Sequence, residues 1–310
     1  VLGRLDALRL SATASEEALS RARAAIAERI AEPLGLSVEN AAEAIIALGN
    51  VHMSGAIRLV SLSRGHDPRD FALFAFGGAG PLHATALARE LGVPEVLAPA
   101  RPGLTNALGC VVADLRQDFV RTLNAPLIGL SLDDLSATLD EQARAGREMN
   151  AIGGDEVAET IVEHSLDMQF QGQTHLIRVA IPRQGLTHDD IRRRFDEAYD
   201  KRFQVRLPEL AASVVNANTS VIGRRHPLDL SMLCGDHPRA ATLDEAIVAR
   251  RSVFVGGAWR EAVVIDRERM PFDAVIDGPA IVEQQDATIF IEPDCVATSD
   301  AIGNLRIKVS

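Results

Sequence analysis

The stretch Phe71-Ala72-Leu73-Phe74-Ala75-Phe76-Gly77-Gly78-Ala79-Gly80-Pro81-Leu82-His83-Ala84 decides how the chain is read. Six consecutive apolar residues, bounded by Pro68 and Gly77, present no polar face, which predicts a central parallel strand buried between helices. The run passes straight into a glycine-rich turn and then a helix, Leu82 to Leu91, that Gly92 stops; Pro81 stands at the first helical position, where its missing N–H costs nothing. A second brief strand, Val96-Leu97-Ala98, and a helix from about Leu104 to Leu115 follow. Strand, helix, strand, helix is an α/β alternation.

A glycine turn between a buried strand and a helix lets backbone N–H groups and the helix N-terminus face a ligand, and the absent Cβ atoms permit close approach. A nucleotide phosphate or an adenosine moiety fits such a turn, and a tight packing turn is the other reading of the same residues. The spacing is neither G-x-G-x-x-G nor G-x-x-x-x-G-K-[ST], which excludes the dinucleotide-binding and P-loop motifs. His83, in the first turn of the helix, is placed to act as a neutral donor or to hydrogen-bond its own surroundings. His66, Arg64 and Arg69 lie in the loop before the strand, the arginines as an anion clamp or as solvated side chains.

Upstream, Thr13-x-x-Glu16 reads as a capping box before an apolar stripe of Leu19, Ala22, Ile26 and Ile30, with a stop at Pro33 and Gly35. Ser37 then caps a helix running to about Arg64, with Gly65 beyond its end. That helix is roughly 40 Å long, and its Gly49, Ser54 and Gly55 would admit a neighbouring backbone or a ligand. Downstream of Asp118 the character changes. A helix from Ser131 to about Met149 and another over Thr187 to Phe203 interrupt period-2 segments at Ile161–Phe170, Thr174–Ile181, Val214–Ile222, Ala262–Asp266, Ala280–Gln284, Thr288–Ile291 and Leu305–Val309. Gln169-Phe170-Gln171-Gly172-Gln173 reads as a polar hairpin turn. The domain boundary is expected near residue 125, dividing an α/β part (1–125) from a β-rich part (126–310).

Composition narrows the function. Lys+Arg total 32 against 43 Asp+Glu, a net charge of 32 − 43 = −11, which argues against a surface that tracks nucleic-acid phosphates. No run approaches the roughly 18 consecutive apolar residues of a membrane helix, and the first residues lack a signal-peptide layout. Cys110, Cys234 and Cys295 are three, distant and without C-x-x-C, which points to a reducing, cytoplasmic setting without disulfides or zinc. Cys110, within an apolar helical segment, is expected in the core. The scattered histidines offer no metal spacing, and no Ser/His/Asp order or Gly-x-Ser-x-Gly elbow is present. Val1-Leu2-Gly3-Arg4, with no initiating Met, reads as a processed or truncated polypeptide.

Taken together, Leu2-Gly3-Arg4-Leu5, Ala56-Ile57-Arg58-Leu59-Val60, Arg64-Gly65-His66-Asp67-Pro68-Arg69-Asp70, the turn from Phe76 to Ala84, Ala107-Leu108-Gly109 with Val112-Ala113-Asp114-Leu115, Gly278-Pro279-Ala280-Ile281-Val282-Glu283-Gln284 and Gly303-Asn304-Leu305 resemble the second half of the hydantoinase A / oxoprolinase family, which includes subunits of acetone and acetophenone carboxylases. The resemblance implies part of an actin-like, ribonuclease-H-like ATPase domain followed by a mostly β C-terminal domain. It also implies ATP-dependent opening of a cyclic amide such as a hydantoin or 5-oxoproline. A five-membered lactam is a poor electrophile, and phosphorylating its carbonyl oxygen supplies a leaving group and makes attack by water feasible. By the same resemblance Gly77, Gly78, Ala79, Gly80, Pro81 and His83 form an adenosine-binding turn, with ATP and Mg2+ as cofactors. The Asp-x-Gly-Gly-Thr-type phosphate turn and the metal carboxylates of the family's N-terminal half have no counterpart here. That missing half, a hydantoinase B-type subunit and self-association are therefore the expected partners, and the 310-residue chain is expected to be inactive alone. A non-catalytic interaction module and a kinase of the same superfamily are the rival readings; the Gly278 to Leu305 segment speaks against the kinase.

Overall fold

A computed structural model describes residues 1–6, 16–229 and 238–309. Thr13, Cys234 and His237 lie outside the described residues. Helix α1 (Glu16–Ile26) runs into a π-helical turn, Ala27–Ala31, directly ahead of Pro33. Pro33 has no N–H to donate four residues back, and the widened turn absorbs that loss before Gly35, at φ 65°, ends the segment. The expected stripe is only half-buried, with Ala22 exposed.

Ser37 Oγ accepts from the Asn40 N–H at 3.1 Å and starts α2 (Val38–Leu62). Gly65, at φ 78°, closes its exit as the Gly65 and His66 N–H groups return to the Leu62 and Ser61 carbonyls. By length and composition α2 could cross a membrane. Its Ala41, Ala42, Asn50 and Ser54 are buried in the protein, whereas Leu48, Val51, Leu59, Val60 and Leu62 are each more than half exposed. Side chains built at Gly49 or Gly55 would meet nothing within 4 Å, so the close approach foreseen there is not made by the described residues.

The decisive strand is shorter and more exposed than its sequence suggests. β1 (Leu73–Phe74) pairs in parallel with β2 (Glu95–Ala98), Leu73 opposite Val96. It lies at a sheet edge, and Phe71, Phe74 and Phe76 are all exposed, so the expectation of a central buried strand is corrected. An apolar run marks a strand covered on both faces only if something covers it, and no described strand lies on β1's outer side. Between the two strands, α3 (Gly80–Leu91) ends at Gly92, φ 71°. α4 (Thr105–Val112) buries none of its residues, and Cys110 is exposed rather than core.

The chain then builds an antiparallel sheet of order β3-β6-β4-β5 from β3 (Leu115–Pro126), β4 (Val157–Phe170), β5 (Ile177–Ile181) and β6 (Ala212–Arg225). Helices α5 (Leu132–Asn150) and α6 (His188–Phe203) supply its apolar layer, capped by Ser131 and Thr187. Leu135, Leu139, Leu166, Met168, Ile191 and Phe195 form the centre of this core. Phe170 lies 4.7 Å from Phe195 and 4.8 Å from Tyr199 between ring centroids. Tyr199 donates to Gln173 Oε1 at 2.9 Å, and Gly172 turns at φ 84°, so the glutamine-rich segment is a structural hairpin.

After α7 (Leu243–Ala246), the strands β7 (Ile247–Val255), β8 (Ala258–Asp266), β9 (Val275–Asp277), β10 (Ala280–Glu283), β11 (Thr288–Ile291), β12 (Val296–Ser299) and β13 (Leu305–Lys308) form two sheets with the first segment, ordered β1-β2-β13-β12-β9 and β11-β10-β8-β7. The chain therefore packs as two units, Val1–Cys110 with Asp229–Ser310, and Val111–Leu228. The boundary expected near residue 125 falls inside β3; the packing divides at 110/111 and again at 228/229, because β13 returns to pair antiparallel with β2, Ile307 opposite Val96. The α/β portion and the β-rich remainder implied by the sequence are both present.

The glycine at position 278 has a steric cause. A Cβ at Gly278 would sit 1.9 Å from the Glu292 carbonyl oxygen, a backbone atom that cannot swing aside. Gly278→Ala is expected to destabilise the protein by about 2 kcal/mol or more, read as a lowered denaturation midpoint. Full stability in that variant would show that the loops do not meet there.

Candidate functional site

Three loops of the discontinuous unit converge on the glycine turn. Gly77, at φ 81°, donates its N–H to the Pro102 carbonyl at 2.7 Å, which ties the turn to the start of the Pro102–Leu104 helical turn. A Cβ at Gly78 would approach the Asp286 carbonyl to 3.2 Å, and one at Gly103 would fall 2.1 Å from Asp286 Oδ2. Gly80 has open space at its Cβ position. Ala79 caps α3 without a side-chain acceptor; Pro81 has no N–H and the Leu82 N–H donates to the Ala79 carbonyl at 3.0 Å, so the Gly80 N–H is the first-turn donor left for another partner. Thr85 Oγ1 donates to the Phe290 carbonyl at 3.2 Å and fixes α3 on β11.

Beside the turn lies a pocket of about 680 Å³. Gly78, Ala79 and Leu82 form one wall, Leu5 and Val248 contribute apolar surface, and the loop joining β10 to β11, Gln284 to Ala287, forms another wall. Asp6, Asp266, Glu268, Glu283 and Asp286 also line it, whereas no Lys, Arg or His does among the described lining. Two of these carboxylates are paired from behind, Glu283 with Arg251 at 2.8 Å and Glu268 with Arg101 at 2.7 Å. Such a wall suits an uncharged, hydrogen-bonding moiety and repels a phosphate chain.

Of the residues expected to bind cofactor, Gly78 and Ala79 line the pocket, and Gly77, Gly80 and Pro81 shape the turn beside it. His83 does not line it. Its ring points to α2, with Nδ1 2.9 Å from Asn50 Oδ1, so Nδ1 is the donor. Arg69 is held by both Asp67 oxygens, and the guanidinium keeps Asp67 at about 2; neither it nor Arg64 reaches the pocket. Among the described residues no three His, Cys, Asp or Glu side chains converge as a metal site. The opposing wall, Gln284 to Asp286, was missed: it lies some 200 residues from the turn, and only the Gly278 to Gln284 motif pointed to that region.

A mixed α/β and β protein with a glycine turn opening on a pocket defines the class. Residues 1–119 match the hydantoinase/oxoprolinase profile, and residues 130–307 match the hydantoinase/oxoprolinase C-terminal domain. The chain belongs to the hydantoinase/oxoprolinase family. It is 33% identical over 280 residues to caprolactamase subunit alpha of Pseudomonas jessenii, covering 87% of this chain and 39% of that one. Against 5-oxoprolinase 1 of Arabidopsis thaliana the identity is 27% over 278 residues, 88% of this chain and 21% of that protein. The crystal structure of the ATP-dependent caprolactamase from Pseudomonas jessenii superposes with a TM-score of 0.74 at 29% identity, covering 99% of this chain and 45% of that one. The chain thus spans less than half the length of the curated relatives it matches.

Burial, and secondarily the Arg4 charge, lower the His83 pKa below its ordinary 6.5. The folded state therefore holds the ring neutral, and its contribution to stability is lost as pH falls below about 6.5, where the unfolded chain takes up the proton. An NMR titration should place His83 below 6.5, and Arg4→Gln should raise the midpoint while leaving it depressed, since burial is the larger cause. A midpoint at or above 6.5 in the wild type would contradict the packing of the ring against Asn50.

Proposed function

We propose that this chain supplies the nucleoside-facing C-terminal part of an ATP-dependent enzyme that hydrolyses cyclic amides of the lactam or hydantoin type. The observation that carries the reading is the pocket wall made by Gly78 and Ala79 at the uncapped start of α3. The family membership and the caprolactamase and oxoprolinase relatives support it. The residues fit the nucleoside end of ATP: a turn without bulky side chains, apolar Leu5, Leu82 and Val248, and carboxylates able to accept from hydroxyl or amino groups. The same carboxylates turn the phosphate chain outward, toward groups that the described lining does not provide. ATP, when bound, would supply the phosphoryl group that activates the amide; Mg2+ and the phosphate-binding turn are assigned to further polypeptide.

The relatives' greater length and the surface of the first unit both support such a partner. Among the described residues β1 has no strand on its outer edge, beside exposed Phe74 and Phe76, and α2 exposes a row of large apolar residues. Surfaces of this kind bind another chain or associate with themselves. Alone, the 310-residue chain is expected to self-associate and to show no ATP-dependent hydrolysis of a lactam or hydantoin. Turnover by the isolated chain would refute the division of labour.

The glycine turn is tested in the protein assembled with its complementary half. Gly80→Ala meets no neighbour, so it should leave the melting temperature unchanged while weakening nucleotide binding by on the order of tenfold, about 1.4 kcal/mol. Unchanged affinity would return the turn to a packing role, and leave the rival reading of a non-catalytic module standing.

A further inference from the structure

Arg267 follows β8 directly and is 4% exposed. Its Nη2 donates to three carbonyls, Ala98 at 3.1 Å, Pro99 at 2.6 Å and Gly303 at 3.1 Å, clamping the end of β2 to the β12–β13 turn. Nε and Nη1 are buried and have no hydrogen-bond partner among the described residues. No carboxylate is hydrogen-bonded to this guanidinium in the described contacts; Asp286 and Asp300 favour its charge at a distance, Arg101 and Arg239 oppose it, and burial pushes it down to about 9.

The side chain borders a recess of about 10 Å³ shared with Arg101, Arg239, Glu268 and Gln284. Gln284 also has an orphan: its Oε1 is buried without a partner, while Nε2 donates to Asp286 Oδ1 at 2.5 Å. That second bond fixes the amide orientation, because reversing it would set two oxygens against each other. The recess therefore offers donors from Arg267 and an acceptor from Gln284, in a volume on the order of one water molecule. An anion would satisfy the arginine but face the Gln284 and Glu268 oxygens. Water both accepts and donates.

We propose that one buried water bridges the Arg267 guanidinium to Gln284 Oε1, and that Arg267 is thereby a positioning residue for the Gln284–Ala287 wall of the pocket. Two backbone hydrogen bonds also hold the wall: Gln284 N–H donates to the Ala287 carbonyl at 3.0 Å, and the Arg267 N–H to the Glu283 carbonyl at 2.9 Å. Losing the bridge would free Asp286 to shift against Gly78 and Gly103. The solvent bridge stands independently of the nucleotide reading; its effect on binding rests on that reading.

A high-resolution crystal structure of the protein should show solvent within about 3.2 Å of both Gln284 Oε1 and Arg267 Nη1 or Nε. Hydrogen exchange at the residue-284 amide should rise about tenfold in Arg267→Met and in Gln284→Met, and no further in the double variant, since each removes the same bridge. No solvent there, a bromide peak in its place after a bromide soak, or additive effects of the two variants would overturn the bridge. If Arg267→Met does not fold, wild-type density and exchange in Gln284→Met decide. In the assembled enzyme, Arg267→Met should weaken ADP binding with kcat little changed; unaltered ADP affinity beside a loosened loop would overturn the positioning role. A wild-type enzyme that fails to bind ADP would refute the functional reading alone.

Discussion

Everything in the first unit depends on how β2 is shared. One edge of this four-residue strand takes β1 from a nearby stretch of sequence, and the other takes β13 from the far end of the chain. Val96 and Ala98 are fully buried only because both neighbours and α3 close over them. The pairing with β13 draws β12 and β9 into the same sheet. The second sheet brings β10 and β11 against α3, so their connecting loop comes to rest across from the glycine turn.

That meeting explains why the glycines do different jobs. Gly103 is pressed hard by the Asp286 side chain, where a Cβ would fall 2.1 Å from Oδ2, and Gly78 more mildly by the Asp286 carbonyl at 3.2 Å. Gly77 needs its left-handed backbone to reach Pro102. Gly80 meets neither demand: a Cβ there finds open space among the described residues. The acidic lining adds a bias: its carboxylates favour a neutral group over an anionic one.

Local signals carried much of this architecture. Caps at Ser37, Ser131 and Thr187, the stops at Gly35 and Gly92, and the alternating strands β4, β6 and β11 lie where propensity and periodicity put them. Two kinds of information were not local. The burial of the 71–76 run depends on a neighbour that the described residues do not supply, so six apolar residues gave an edge strand of two. β3 and β7 were overlooked because charged residues such as Arg116, Asp118, Arg250 and Arg251 blur their alternation on exposed faces. The pocket was half legible: its glycine wall is a contiguous motif, while its acidic wall exists only once residues near 266 and 285 fold back beside it. The helical position of His83 leaves open a neutral donor or a hydrogen bond to its own surroundings, and the fold sets its Nδ1 2.9 Å from Asn50 Oδ1.

The discontinuity of the first unit also sets an order of events in time. Residues 111–228 form a self-contained sheet with its own core and can fold as soon as they leave the ribosome. The sheet containing β2 cannot be finished until β13, far downstream in the sequence, has been synthesised. During that interval the β2 edge that β13 takes has no β13 beside it, and apolar residues such as Val96 wait for part of their cover. Removing Leu305–Lys308 would leave β2 without its β13 neighbour and the sheet of the first unit open along that edge.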